Sequence, residues 1–199
     1  MAEQQSTQEL GFDPDALRAK YREERDKRLR SDGNEQYFEV KGDFSRYVDD
    51  PYIDEVRERE PLTDDVDVIV VGGGFGGLLT GARLTEAGVG RIRLIEKGGD
   101  FGGTWYWNRY PGAACDVESY VYLPLCEELN FVPKEKYTHA PEILAHSRAI
   151  GEKFNLYEYA CFQTEVEGMH WNEETQRWTV TTNRGDAMTA KYVCMANGP

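Results

Sequence analysis

The chain has 199 residues, 40% hydrophobic and 12% aromatic, which is enough for one sizeable core or at most two small ones and too apolar for a disordered chain. Its formal net charge of −13 argues against a nucleic-acid or anionic-membrane partner, because both require a basic surface. No apolar run is long enough to span a bilayer and no signal-peptide pattern is present, so we predict a cytoplasmic protein.

The cysteines and histidines show no pattern of a disulfide framework or a metal site. The four cysteines are widely spaced: Cys115, Cys126, Cys161 and Cys194. Without a C-x-x-C pair they are typical of reduced cytosolic thiols. The three histidines are too dispersed for one metal ion: His139, His146 and His170. We therefore predict no metal.

Residues 1–65 are predicted to form an acidic N-terminal extension. Within it, Asp13 as an N-cap and Pro14 at the first helical position predict a helix over about 13–30. Its apolar stripe is thin, so we expect the helix to lie on a surface rather than in the core. The acidic residues of the extension are typical of a solvated face.

Residues 66–96 have the pattern of one βαβ unit. The β-branched, apolar run 66–71 predicts a buried parallel strand. Residues 75–87 predict a helix closed by Gly88, and 91–96 predict a second strand. This order favours an α/β fold with a parallel sheet.

A glycine pattern joins the first strand to the helix of this unit. In Gly72-x-Gly74-x-x-Gly77, the glycines permit a tight turn, a close approach to a pyrophosphate and close helix packing. Glu96 follows Gly77 by 19 residues and is placed to bind ribose hydroxyls. An acid there disfavours NADP, while FAD and NAD both remain open. The alternative is an ordinary glycine-rich turn with Glu96 on the surface.

The second half of the chain predicts one helix and then three strands. The helix covers about 141–156, and the strands cover 161–171, 177–182 and 187–195. Together they suggest a small antiparallel β-meander inserted between units of the parallel sheet. Because an apolar strand runs directly into the turn at 196–199, we expect the domain over 66–199 to be incomplete at its C-terminus.

The loop over residues 102–116 is rich in glycine and aromatic residues. Its glycines allow backbone to pass close to a ligand, and its aromatic rings suit an extended planar ring system. Asp116 places a carboxylate that can be buried at the end of the loop. The alternative is a packed aromatic loop in which Asp116 caps the next short helix. The residues alone favour neither interpretation.

The loop resembles the FAD-domain motif of type I Baeyer–Villiger monooxygenases, the class B flavin-dependent monooxygenases. The resemblance rests on Gly102-Gly103-x-Trp105, Tyr110-Pro111-Gly112 and Asp116, and it extends over most of 66–199. It implies a Rossmann-like FAD-binding domain, preceded by a helical N-terminal arm. The arm is similar to that of a subgroup acting on bulky ketones, including macrocyclic and steroid-like ones.

The resemblance also implies which residues contact FAD. They are Gly72, Gly74, Phe75, Gly76, Gly77, Glu96, Lys97, Gly103, Thr104, Trp105, Asp116, Tyr122, Val166, Ala196 and Gly198. Tyr122 would contact the isoalloxazine and Val166 the adenine. Asp116 would be the catalytic residue, because the matching aspartate orients an active-site arginine near the flavin. Asn197 stands where the family has threonine, so that contact is left open.

The implied reaction joins NADPH, O2 and a ketone. NADPH reduces FAD, the reduced flavin captures O2 as a C4a-peroxide, and the peroxide inserts oxygen beside the ketone carbonyl to give an ester or lactone. The family also has a second dinucleotide fold, a Phe-x-Gly-x-x-x-His-x-x-x-Trp fingerprint and the active-site arginine, none of which occurs in this sequence. We therefore expect this chain to be inactive alone.

Three other functions remain as alternatives. An N- or S-oxygenating flavin monooxygenase belongs to the same enzyme class, but the context of Asp116 argues against it. A non-catalytic FAD-binding module belongs to a different class. An NAD dehydrogenase is the least favoured, because its chemistry does not require the run from Gly103 to Asp116. The sequence does not predict an oligomeric state.

Overall fold

The computed structural model describes residues 11–36 and 42–198. The chain divides into two compact units, residues 1–49 and 50–199, and each is described by itself. None of the helices within the described ranges is long and apolar enough to cross a membrane.

The first unit contains helix α1 (Pro14–Arg28) and two short 3-10 turns, Gly33–Gln36 and Gly42–Tyr47. The Asp13 carboxylate caps α1 by accepting hydrogen bonds from the backbone N–H groups of Asp15 (2.9 Å) and Ala16 (3.3 Å). No residue of α1 is buried, which confirms the predicted surface helix. The parts of the predicted extension at 1–10 and 37–41 lie outside the described residues.

The second unit contains a six-stranded sheet and its covering helices. In chain order the elements are β1 (Asp65–Val71), α2 (Phe75–Glu86), β2 (Ile92–Ile95), α3 (Thr104–Trp107), α4 (Ser119–Tyr122), α5 (Cys126–Leu129), α6 (Ala140–Lys153), β3 (Ala160–Cys161), β4 (Val166–Asn172), β5 (Arg177–Thr182) and β6 (Ala187–Met195). A 3-10 turn at Leu156–Glu158 joins α6 to β3. The predicted βαβ unit is confirmed as β1, α2 and β2.

The strand order in the sheet is β3-β2-β1-β6-β5-β4. The neighbours β3, β2, β1 and β6 run parallel, whereas β4, β5 and β6 pair antiparallel. This confirms the α/β fold with an antiparallel meander. Strand β6 belongs to both parts: Ala187–Ala190 pairs with β5, and residues 189–195 pair with β1.

The predicted strand over 161–171 is wrong, because two strands on opposite edges of the sheet occupy this stretch. The strand conformation is interrupted at residues 162–165, where Gln163 has a left-handed φ of 53°. The N–H groups of Gln163 and Thr164 donate to the carbonyls of Gly98 (2.9 Å) and Glu96 (3.0 Å). These bonds hold the break against the end of β2, so β4 begins only at Val166.

The core lies on both faces of β1. Val68 and Val70 pack with Leu78 of α2 on one face, while Ile69 packs with Val180 on the other. This alternation is the period-two pattern of a central strand. A third cluster, which includes Ile143 of α6, fixes the loop region between α3 and α5.

Residues 50–65 belong to the second unit, although the sequence assigned them to the extension. The Arg59 guanidinium pairs with both carboxylate oxygens of Asp186 at 2.6 Å. The Leu62 N–H (2.7 Å) and the Thr182 hydroxyl (2.6 Å) donate to the same carboxylate. Burial alone would raise the pKa of Asp186, but these donors outweigh it and lower the pKa to about 2.

Replacing Asp186 with asparagine should lower the free energy of unfolding by about 3 kcal/mol near pH 7, because Arg59 loses its charged partner. The folded-state pKa lies below the ordinary value, so the stabilisation is full above about pH 4 and is lost as the pH falls toward 2. Urea unfolding of wild type and Asp186→Asn across this range measures the difference. Glu86→Gln, which breaks the exposed pair with Arg83, should change little. Equal urea midpoints near neutral pH would contradict the prediction.

Candidate dinucleotide site

The carboxyl ends of β1, β2 and β6 meet at one edge of the sheet. The N–H of Gly72, just after β1, donates to the Ile95 carbonyl (2.8 Å), and the N–H of Ala196, just after β6, donates to the Val71 carbonyl (2.8 Å). In open parallel sheets, ligands bind at this edge. The predicted glycine turn, Glu96 and Ala196 are all brought together here.

The turn after β1 requires glycine for steric reasons. Gly72 has a φ of 109°, and a Cβ on it would lie 2.4 Å from the Ala196 carbonyl oxygen. A Cβ on Gly77 would lie 1.8 Å from the Gly72 oxygen. Gly74 then opens α2, and no side chain of the described residues caps that helix. The first N–H groups of α2 are therefore available to an anion such as a pyrophosphate.

A second glycine turn packs directly against the first. The N–H of Gly102 donates to the Gly73 carbonyl (3.0 Å). Gly103 has a φ of 52°, and a Cβ on it would lie 2.7 Å from the Gly74 Cα. The two backbones therefore face each other with no side chain between them, as a ligand running along both turns requires.

Glu96 lies in the interior, at only 6% exposure, which differs from the surface position that the alternative expected. Its two carboxylate oxygens accept hydrogen bonds from the N–H groups of Gly73 (2.5 Å) and Gly98 (2.6 Å). Burial raises the pKa of Glu96, the two N–H donors oppose that rise, and the charge of Asp50 adds to it. A carboxylate held this way has further lone pairs for ribose hydroxyls.

Three of the predicted contact residues form an aromatic cluster at the start of α2. The Trp105 indole N–H donates to the Tyr122 hydroxyl at 2.8 Å. The Phe75 ring meets the Tyr122 ring edge-on, with centroids 5.5 Å apart. Trp105 is buried, whereas Thr104 at the start of α3 is exposed. The cluster supplies an apolar wall beside the glycine turns.

The Asp116 side chain is exposed, although its place at the end of the loop would have allowed burial. The alternative that it caps the next helix is wrong, because Glu118 occupies the N-cap of α4. The backbone beside Asp116 is nevertheless fixed: the Cys115 N–H donates to the Thr138 carbonyl (3.0 Å), and the Thr138 N–H donates to the Ser119 hydroxyl (2.8 Å). This exposed carboxylate is accordingly held on a well-anchored loop.

The remaining predicted residues lie at the margin of the site. Lys97 pairs through its ammonium with Glu165 (3.2 Å), and both side chains are partly exposed. Val166 begins β4, next to the break held against β2. Gly198 is exposed with a φ of 69°, and the Asn197 amide donates to its carbonyl (3.1 Å).

The sequence pattern did not indicate Asp50 or its contact with Tyr106, which lies in the aromatic loop. The Tyr106 hydroxyl donates to the Asp50 carboxylate at 2.6 Å, directly next to the Gly98–Gly99 turn. The two residues are 56 positions apart, so no local pattern could have joined them. Within residues 11–36 and 42–198, no group of three or more His, Cys, Asp or Glu side chains is placed to hold a metal ion.

The parallel sheet, the glycine turn and the buried acid define a Rossmann-like dinucleotide-binding domain. A family model described as an NAD(P)-binding Rossmann-like domain matches residues 70–130.

Known proteins with similar sequences and structures narrow this class of domain further. The chain is 58% identical over 188 residues to pentalenolactone D synthase from Streptomyces arenae, and 52% identical over 182 residues to a Baeyer-Villiger monooxygenase from Streptomyces coelicolor. The solved polycyclic ketone monooxygenase from Thermothelomyces thermophila matches 92% of the chain with a TM-score of 0.82 and 36% identity. Over nearly its whole length, the chain is therefore similar to proteins named as Baeyer–Villiger monooxygenases.

The chain spans about a third of the length of these relatives. The shared region covers 94% of the chain and 31% of the pentalenolactone D synthase, and 92% of the chain and 30% of the Streptomyces coelicolor enzyme. It covers 32% of the polycyclic ketone monooxygenase.

Replacing Gly77 with alanine should lower the free energy of unfolding by about 2 kcal/mol or more, because the new methyl would overlap the Gly72 carbonyl and force the turn open. Gly76→Ala is the matched control. Its methyl would meet Ala196 at an ordinary 3.4 Å, and alanine is the better helix former. Urea unfolding followed by circular dichroism compares the two. The steric argument fails if both variants unfold at the same midpoint.

Proposed function

We propose that this chain forms the FAD-binding part of an NADPH- and O2-dependent monooxygenase that inserts oxygen beside a ketone carbonyl. The observation that carries the proposal is the pair of facing glycine turns beside the buried Glu96. The similarity to Baeyer–Villiger monooxygenases supports the reaction class, and the name of the polycyclic ketone monooxygenase supports a bulky ketone as the substrate. The four cysteines form no disulfide, which supports a reducing, cytoplasmic setting.

The residues at the sheet edge fit the two polar parts of FAD. The Gly72–Gly77 turn and the start of α2 would hold the pyrophosphate through backbone N–H groups. Each Glu96 oxygen accepts one N–H and keeps a lone pair for a hydroxyl of the adenosine ribose. The backbone of Val166, which follows the residues held against the end of β2, would contact the adenine.

The aromatic cluster and the second glycine turn fit the flavin end. Gly103 would let the backbone approach the ribityl chain, and Trp105 and Tyr122 would shield the ring system from water. When bound, FAD supplies the redox chemistry that couples NADPH oxidation to O2 reduction, and the protein supplies binding and orientation.

Asp116 is proposed to orient an arginine of the larger protein next to the reacting atoms. Its carboxylate is exposed, and it has no hydrogen-bond or ion-pair partner among the residues that the structure describes. The loop backbone that carries it is fixed through Thr138 and Ser119. Because the backbone is anchored and the carboxylate is unpaired among the described residues, the carboxylate can pair with a guanidinium in a defined geometry.

Titrating FAD into the purified chain should produce a perturbed flavin absorbance band. Glu96→Ala removes the ribose acceptor and Gly74→Ala places a methyl 3.3 Å from the Gly103 Cα, so both variants should lose the band. Glu167→Ala removes an exposed carboxylate outside the site and should keep it.

Circular dichroism of each variant separates loss of binding from loss of fold. A folded wild-type chain that leaves the FAD spectrum unchanged would contradict the proposal for this chain. Binding that survives in folded Glu96→Ala and Gly74→Ala would show that FAD sits elsewhere. Binding at the predicted residues, in a larger protein without ketone oxygenation, would favour a non-catalytic FAD-binding module.

A further inference from the structure

A short segment outside the βαβ unit lies against the candidate site. We call residues 50–53 the strap. The Asp50 carboxylate accepts hydrogen bonds from the Gly99 N–H (2.9 Å) and the Tyr106 hydroxyl (2.6 Å), both on the same oxygen. Ile53 covers Gly99 so closely that a Cβ there would lie 2.4 Å from the Ile53 methyl. The strap therefore fixes the turn that follows Glu96.

The strap also holds the short helix α3. The Tyr52 hydroxyl donates to the Trp107 carbonyl at 3.2 Å, and the Tyr52 ring meets the Tyr106 ring edge-on at 5.6 Å. The Arg109 guanidinium lies 3.8 Å from the centre of the Tyr52 ring, and its Nε donates to the Tyr106 carbonyl (2.8 Å). Tyr52 of the strap therefore contacts α3 through Tyr106 and Trp107, and it also contacts Arg109, which follows the helix.

These two attachments touch the two halves of the candidate site. The Tyr106 ring packs on Gly98, where a Cβ would lie 2.8 Å from the ring, and the Gly98 N–H is a donor to Glu96. Helix α3 begins immediately after Gly103, whose backbone meets Gly74. The strap consequently connects the ribose-binding acid to the second glycine turn.

The hydrogen bond from Tyr106 to Asp50 persists over the physiological pH range. Tyr106 is 2% exposed. Burial and then the hydrogen bond to Asp50 raise its pKa to about 12. The phenol therefore stays protonated over this range and donates to the half-buried Asp50.

We propose that Asp50 is a positioning residue for FAD, acting through Tyr106 and Gly99 to set the distance between Glu96 and the Gly103 turn. The proposal rests on the proposed FAD-binding function. It places the effect at the adenosine ribose and pyrophosphate, which are also present in ADP. Breaking the network should therefore weaken FAD and ADP alike.

The test compares the dissociation constants of FAD and ADP for the wild-type chain and a set of variants. Tyr106→Phe keeps the buried ring and removes only the hydroxyl, and Asp50→Ala removes the acceptor. Each should weaken both ligands by about tenfold, as expected for one lost hydrogen bond. The double variant should bind each ligand no more weakly than the single variant with the lower affinity, because both changes break the same hydrogen bond between Asp50 and Tyr106.

Two further variants separate positioning from general stability. In Asp50→Asn the amide oxygen can accept from both Tyr106 and Gly99, so this variant should regain FAD affinity close to wild type. Tyr157→Phe breaks a second tyrosine–aspartate bond, to Asp100 (2.9 Å), and should leave the affinity unchanged.

The outcomes distinguish this proposal from the FAD proposal itself. A folded wild-type chain that binds neither FAD nor ADP refutes the FAD function. If wild type binds and Tyr106→Phe binds with equal affinity, the role of the strap is refuted. The role is also refuted if Asp50→Asn is as impaired as Asp50→Ala, or if Tyr157→Phe loses as much affinity as Tyr106→Phe.

Discussion

The close approach of main-chain atoms at the carboxyl edge of the sheet is the constraint on which the rest of the structure depends. Gly72 must accommodate the carbonyl of Ala196 on one side and the start of α2 on the other. Only because these backbones touch can β1 and β6 pair as far as Met195 while α2 packs on β1. The second turn, at Gly103, then packs against the first, and main-chain atoms rather than side chains meet where the two turns face each other.

The Glu96 carboxylate at this edge is stabilised by backbone N–H donors rather than by basic side chains. The chain carries 36 acidic residues against 23 basic ones, yet among the residues that the structure describes the buried Glu96 is paired with two peptide N–H groups and not with a cation. A basic partner would neutralise the acid and compete with a hydroxyl ligand, whereas peptide donors leave its charge in place. Lys97 next to it is instead paired with Glu165 at the surface.

The sequence was sufficient for the parts of the fold that depend on neighbouring residues. The βαβ unit, the Asp13 cap and strands β5 and β6 follow from periodicity and local capping. The break at Gln163 depends on carbonyls more than 60 positions away, so a single strand was expected there. Likewise, the packing of residues 50–53 on Tyr106 and the exposure of Asp116 are set by tertiary contacts. Such contacts leave no trace in local spacing.

The double role of β6 has a consequence for how the domain folds. Asp65 and Thr189, which are 124 positions apart, are hydrogen-bonded across β1 and β6, and this pairing places Ala196 beside Gly72. A sheet centred on such distant partners has a high contact order. The entropy of loop closure must therefore be lost before the native strand pairing stabilises the fold. The hairpin of β5 and β6 can form locally and present a preformed strand to β1. We therefore expect the carboxyl edge of the sheet to form late in folding, when the pairing of β1 with β6 reaches Met195.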